Sequence, residues 1–138
     1  WGGFFMKYEF TEEYYTGIKM IDEEHAKLFE ITNRAYDLLT NQFKLDKYDE
    51  IAAVLEELKD YTKYHFSHEE EYMKSINYGK RFSQMHQHAQ FIEKLESYDL
   101  KDIDENQHAG LLEILDFLAV WLLGHIKGMD KRIPKVEA

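Results

Sequence analysis

Histidine and glutamate side chains interrupt the apolar stripe of a chain whose pattern is otherwise strongly helical. In the segment YHFSHEEEYM at 64–73, His65 lies four residues after Tyr61, and Glu69 lies four residues after His65. Four residues advance an α-helix by about 400°, so these side chains return to nearly the same face. His65 and Glu69 are therefore predicted to point inward, among hydrophobic neighbours.

Three further histidines have the same relation to apolar positions. They are His25 between Ile21 and Leu28, His88 before Phe91 and Leu95, and His125 after Leu118 and Leu122. Burying such a group without a partner costs about 1–3 kcal/mol, whereas a whole domain is stable by only about 5–15 kcal/mol. One shared metal site satisfies all of these groups together. Imidazole and carboxylate ligands suit iron, zinc, copper or nickel.

Four amphipathic segments must position these side chains. They cover about 18–40, 47–76, 81–97 and 107–127, with a polar connector at 99–106. Because the connections are short, neighbouring helices are expected to pack antiparallel. The predicted fold is all-α: an up-down-up-down antiparallel four-helix bundle with an aromatic-rich N-terminal arm at 6–17. In such a bundle, histidines that lie alternately early and late in their helices converge at one end of the core.

Composition narrows the function classes. The 138 residues suffice for one domain with a core. The net charge of −10 argues against nucleic acid and anionic membranes as partners. Cysteine is absent, so no thiolate metal site exists. We expect no run of the roughly 20 apolar residues that span a bilayer and no secretory signal. The chain is therefore expected to be cytoplasmic and, with its acidic surface, monomeric.

Four quoted segments together resemble the hemerythrin family, in its bacterial single-domain form. They are GIKMIDEEH (17–25), YHFSHEEEYM (64–73), HAQF (88–91) and WLLGHIKGMD (121–130). The likeness spans about residues 8–133 and implies a hemerythrin-like domain at 6–134. Residues 1–5, WGGFF, are interpreted as an added remnant before a natural start at Met6. The resemblance implies a cofactor of two iron ions, oxo- or hydroxo-bridged, that binds dioxygen reversibly for carriage, storage or delivery.

The resemblance also implies a ligand set. His25 and His65 would bind the iron that takes dioxygen, His88 and His125 would bind the other, and Glu69 and Asp130 would bridge both. Asp130 rests on the resemblance alone, because five residues after His125 is about 140° from its face. Gly128 is expected to let the helix end unwind there. The oxygen pocket would be lined by Leu28, Trp121 and Leu122.

One position departs from the family pattern. The family has a second histidine on the third helix, four residues before the position of His88, and this chain has Gln84 there. Three outcomes stay open: Gln84 ligates weakly, water replaces it and opens a position, or the iron is easily lost. We favour water or a weak amide contact, with two metals still bound. Such a centre is expected to take small anions readily and to oxidise quickly.

Other functions stay open beside oxygen binding. The same domain could sense oxygen, nitric oxide or iron, or the open position could support di-iron oxidation or peroxide chemistry. We expect no enzyme, because two bridging carboxylates differ from the Glu-x-x-His arrangement of di-iron oxidases. A zinc-bound or metal-free structural bundle is the remaining alternative. Three histidines, His68, His86 and His108, are interpreted as surface residues. Glu70 could accept the second N–H of a ligand histidine, but its interpretation as a solvated acid is favoured.

Overall fold

The computed structural model describes residues 8–136, and within this range it contains helices and no strand. The all-helical fold class is thus confirmed, whereas the interpretation of residues 1–5 lies outside the described part. The α-helices are α1 (Lys19–Thr40), α2 (Tyr48–Ser75), α3 (Arg81–Glu96), α4 (Leu100–Glu105), α5 (Gln107–Leu118) and α6 (Gly124–Gly128). A π-helical turn at Ala119–Leu123 joins α5 to α6, and 3-10 turns lie at Glu12–Tyr14 and Asp130–Arg132.

The four predicted amphipathic segments are confirmed, and the polar connector at 99–106 includes a short helix of its own. It contains α4, whose first turn is capped because the Asp99 carboxylate accepts a hydrogen bond of 2.9 Å from the backbone N–H of Lys101. Ile103 anchors α4 in the core. A Cβ at Gly110 would lie 3.0 Å from an Ile103 side-chain carbon, so glycine permits the close contact between α4 and α5.

Helix packing leaves two apolar clusters, one on each side of the inward histidines. α1 contacts α2 and α5, and α2 contacts α3. The larger cluster includes Leu28, Phe91 and Leu118, and the smaller consists of Ile18, Ile21, Met73 and Ile133. Along α1, His25 lies between Ile21 of the smaller cluster and Leu28 of the larger. The polar residues therefore form a layer with apolar side chains above and below.

The described part of the predicted arm lies against α1. The backbone N–H of Tyr8 donates to the Asn33 side-chain oxygen at 2.8 Å, and the Asn33 amide donates to the Tyr8 carbonyl at the same distance. Phe10 and Tyr14 pack edge-on against Phe29, with ring centroids 5.2 and 4.9 Å away. These contacts cover the outer side of α1 with aromatic surface.

One helical stretch meets the length and composition of a membrane span, contrary to the sequence-based expectation. It runs over Gln107–Arg132 with a mean hydropathy of 1.7 in its most apolar window. Core helices pass the same test, and this stretch contributes Leu111, Leu115 and Leu118 to the larger apolar cluster. Its hydropathy is therefore weak evidence for a membrane location.

Candidate metal centre

Six side chains from five structural elements meet in the polar layer. They are His25 (α1), His65 and Glu69 (α2), His88 (α3), His125 (α6) and Asp130 (the last 3-10 turn), and none is more than 5% exposed. Their donor atoms form two overlapping groups, each with all atoms within 4.8 Å of one another. One group contains His25 and His65, the other contains His88 and His125, and both share Glu69 and Asp130. The structure thus brings together every residue of the predicted ligand set.

The two carboxylates lie between the imidazoles. Oε1 of Glu69 is 3.0 Å from Nε2 of His88, and Oε2 is 3.2 Å from Nε2 of His65. Oδ2 of Asp130 is 3.1 Å from Nε2 of His25, and Oδ1 is 3.2 Å from Nε2 of His125. Each carboxylate therefore reaches one imidazole of each group, as a bridging ligand must.

The buried donor atoms lack hydrogen bonds although they lie close together. Among the described residues, Nε2 of all four inward histidines and both oxygens of Glu69 are buried with no hydrogen-bond partner. Leaving one such atom unpaired costs about 1–3 kcal/mol. Several of them at one place therefore indicate a binding site for a metal ion that contacts them all. Neutral imidazole and carboxylate are ligands of a borderline divalent ion such as iron or zinc, and this donor set fits such ions.

Three of the histidines have a hydrogen-bond acceptor at Nδ1, and each acceptor comes from a helix earlier in the chain. Nδ1 of His65 lies 2.8 Å from the Glu24 carboxylate, Nδ1 of His88 lies 2.8 Å from Glu70, and Nδ1 of His125 lies 2.7 Å from the Gln87 amide oxygen. Because these oxygens accept hydrogen bonds, each Nδ1 carries the hydrogen and each Nε2 keeps its lone pair for a metal. The interpretation of Glu70 as a solvated acid is wrong, because its carboxylate faces His88.

Removing the Glu70 carboxylate tests this support. Glu70→Leu leaves Nδ1 of His88 without its acceptor, and we expect metal affinity to fall about 10–100-fold. Glu70→Gln, which keeps an acceptor oxygen, should lose less. Glu71→Leu is the matched control, since Glu71 is the exposed neighbour. Anaerobic metal titration of the metal-free variants measures the effect, and equal affinities for Glu70→Leu and Glu71→Leu would contradict it.

The three histidines outside the centre differ in their exposure and in their contacts. His86 and His108 are exposed, as predicted. His68 lies partly exposed at the surface, and its Nδ1 is 2.6 Å from the second oxygen of Glu24. Glu24 thereby joins His68 to His65. Nδ1 of His25, by contrast, is buried and has no hydrogen-bond partner among residues 8–136.

The electrostatics of the metal-free centre follow from these contacts. Burial alone would lower the pKa of His25, but the carboxylates of Asp130 and Glu69 outweigh it and raise that pKa to about 9. Burial would raise the pKa of Glu69, but His65, His25 and His88 hold it well below its usual range. Metal binding would therefore compete with protonation of the His25 imidazole.

The end of the last helix places Asp130. α6 ends at Gly128, and Met129 adopts φ −122° and ψ −55°, which turns the chain into the 3-10 turn that begins with Asp130. The helix therefore does unwind as expected. Gly128 is not required for it on steric grounds, because a Cβ there would meet no atom within 4 Å and its φ is not positive.

Gln84 lies at the centre, fully buried one turn before His88. Its Nε2 donates to Oδ1 of Asp130 at 3.1 Å, and its Oε1 is buried with no partner in the described part of the chain. The Gln84 amide thus lies beside the metal centre, at the position where the family pattern has a histidine.

Aromatic and aliphatic side chains enclose the imidazoles. Leu28 and Leu122, two of the predicted pocket residues, are buried in the larger apolar cluster. The third, Trp121, stacks on His125 with ring centroids 4.4 Å apart and planes 12° apart. Phe66, which the sequence did not single out, stacks on His88 at 3.9 Å. These contacts fix ring orientation, and the π-helical turn, a feature common at functional sites, carries Trp121.

Comparison with known proteins identifies relatives over most of the chain. The family model described as "Hemerythrin HHE cation binding domain" matches residues 16–134. A bacteriohemerythrin of Clostridium acetobutylicum is 47% identical over 120 residues, which cover 87% of this chain and 93% of that protein. A bacteriohemerythrin of Pseudomonas aeruginosa is 33% identical over 83% of this chain and 71% of its own length. A hemerythrin-like protein of Naegleria gruberi is 26% identical over 94% of this chain and 92% of its own length. No solved structure gives a significant match.

Proposed function

The chain belongs to the hemerythrin family, and on that premise we propose that it is a non-haem di-iron protein that binds dioxygen reversibly, for carriage, storage or delivery. The observation that carries the proposal is the convergence of unpaired, buried donor atoms: Nε2 of four histidines and both oxygens of Glu69. A pair of metal ions satisfies all of them. The family model's description as a cation-binding domain agrees with that donor set.

The proposed ligands divide into two pairs and two bridges. His25 and His65 would hold one iron, His88 and His125 would hold the other, and Glu69 and Asp130, which belong to both groups of donor atoms, would be shared. When bound, the iron pair supplies the electrons and the open coordination position that dioxygen binding needs. Glu24, Glu70 and Gln87 keep three of the imidazoles in the tautomer that presents Nε2 to the centre.

The protein's own part is to keep the centre dry and rigid. Apolar residues lie on both sides of the polar layer. We propose that Leu28, Trp121 and Leu122 form the pocket for dioxygen. With water excluded, competing hydrolysis and proton leakage at the centre are suppressed.

We also propose the up-down-up-down antiparallel order of the bundle. Support comes from pairs whose numbers run in opposite directions along neighbouring helices. Between α1 and α2, His25 pairs with His65 and Arg34 with Glu57. Between α2 and α3, Glu70 pairs with His88 and Lys63 with Glu96. Between α3 and the last helical stretch, His88 pairs with His125 and Lys94 with Glu113. The domain on this proposal extends over 6–134, with the arm included. A monomeric state and a cytoplasmic location are part of the same proposal.

Metal analysis and visible absorption spectra, with and without air, test the function. We expect two iron ions per chain and absorption bands that appear with dioxygen and disappear when it is removed. His65→Leu should lose the full two-iron stoichiometry and the reversible bands, and the exposed His108→Leu should keep two ions and the bands. A normally folded wild type that stays metal-free after anaerobic iron loading, and colourless when air is then admitted, would refute the proposal.

A second candidate function rests on Gln84. Because an amide replaces the expected imidazole, the centre has a weaker donor at that position, which favours rapid oxidation. Bands that form with air and do not reverse would therefore favour oxygen, nitric oxide or iron sensing, or oxidation and peroxide chemistry, over carriage. Reversible bands would support the expectation that the protein is not an enzyme.

A further inference from the structure

Gln84 is oriented by its neighbour rather than free to turn. Its amide faces Oδ1 of Asp130 at 3.1 Å, and Asp130 has no hydrogen to donate when ionised. An amide oxygen in that place would set two acceptors against each other, so the –NH₂ group must face Asp130. The amide oxygen, Oε1, is thereby turned to another side of the side chain.

The oxygen so oriented has the same property as the proposed ligand atoms. Oε1 of Gln84 is buried and has no hydrogen-bond partner among the described residues, as is true of Nε2 of His88 and His125. Gln84 is one helical turn before His88, on the same face of α3. Its contact, Oδ1 of Asp130, is also the oxygen that lies 3.2 Å from His125. Gln84 therefore belongs to the side of the centre that His88 and His125 form.

We propose that Gln84 is an oxygen-donor ligand on the side of His88 and His125, and that it shifts this position toward manganese(II). The proposal rests on the two-metal centre proposed above. Carbonyl and carboxylate oxygens suit manganese, whereas imidazole suits zinc, copper, iron and nickel. With Gln84 the position has two imidazoles and three sources of oxygen, Gln84, Glu69 and Asp130. The position of His25 and His65 has two imidazoles and two carboxylates.

Metal competition on the whole chain tests the assignment. Metal-free wild type, Gln84→Leu and Gln84→His are titrated anaerobically with Mn(II), alone and against Zn(II), and bound Mn(II) is followed by loss of the electron paramagnetic resonance signal of the free ion. Gln90 is exposed on the same helix, so Gln90→Leu and Gln90→His are the matched controls. Metal analysis gives the stoichiometry, and circular dichroism verifies the helical fold.

We expect wild type to bind two ions. Gln84→Leu should keep one near wild-type affinity and bind the second about 10–100-fold more weakly, in the range that even outer contacts of a metal site command. Gln84→His should keep two ions but raise the preference for Zn(II) over Mn(II) on the order of tenfold. The Gln90 variants should match wild type.

The outcomes separate this inference from the function on which it rests. Two ions bound to Gln84→Leu with wild-type affinity would overturn the ligand role while leaving the two-metal centre intact. An unchanged Zn(II)-to-Mn(II) preference in Gln84→His would overturn the shift toward manganese, and it decides the matter alone if Gln84→Leu does not fold. A wild type that binds no ion at all would instead refute the two-metal centre itself.

Discussion

Replacing Glu69 by leucine is expected to abolish tight binding of both metal ions at once. Glu69 belongs to both groups of donor atoms, and its two oxygens lie 3.0 Å from His88 and 3.2 Å from His65. A histidine variant removes a ligand from one group only. Loss of an outer contact alone lowers metal affinity about 10–100-fold, so we expect the loss of a shared ligand to lower each affinity by at least about 100-fold.

Controls separate the shared-ligand effect from general damage. Glu71→Leu makes the same chemical change two residues along α2, on the exposed side, and should keep both ions. Glu69→Gln keeps the shape and one oxygen while removing the charge, and should bind more weakly than wild type but better than Glu69→Leu. Anaerobic metal titration measures the affinities, and circular dichroism checks the fold. A Glu69→Leu protein that holds one ion as tightly as wild type would show that Glu69 does not serve both positions.

The periodicity of apolar residues predicted the helices and their inward histidines, because each helix in a bundle buries one face. Whether His65 and Glu69 point inward depends on a spacing of four residues, which the sequence displays directly. The level at which the histidines meet also follows from whether each lies early or late in its helix. Asp130 needed the family resemblance, because it lies beyond the end of α6, where helical spacing no longer holds.

The acceptors behind the histidines could not be predicted from one helix at a time. Glu70 is one residue from the inward Glu69, about 100° round the helix, and only the rotation of α3 against α2 decides whether that direction meets water or His88. The structure shows His88 there. For the same reason the contact between His68 and Glu24 of α1 could not be predicted.

A regularity does link these acceptors to the sequence once the structure is known. Glu24, Glu70 and Gln87 are each one residue from a proposed ligand on their own helix, and each faces Nδ1 of a histidine on a later helix. Polar residues adjacent to an inward histidine or glutamate are therefore the positions to inspect first. His25 lies on the first helix, has no preceding helix to supply an acceptor, and is the histidine whose Nδ1 has none in the described range.

Removing the metals from the wild-type protein is expected to cost most of its stability. The donor atoms are buried without partners when no ion is bound, so the free energy of metal binding is also free energy of folding. An ion that binds only the folded state, at 1,000 times its dissociation constant, adds about 4 kcal/mol to the free energy of unfolding. Two ions add about 8 kcal/mol, which for a chain of this length corresponds to a rise in Tm on the order of 25 °C.

Thermal unfolding of metal-free and metal-loaded protein, at a fixed concentration of free metal, measures this difference. The Glu69→Leu variant is the matched control: since it should bind neither ion tightly, added metal should leave its Tm nearly unchanged. If surface carboxylates rather than the buried centre held the ions, both proteins would gain the same small increment. A wild-type Tm that moves by less than about 4 °C, roughly the effect of 1 kcal/mol, would mean that the buried imidazoles and carboxylates satisfy one another without a metal.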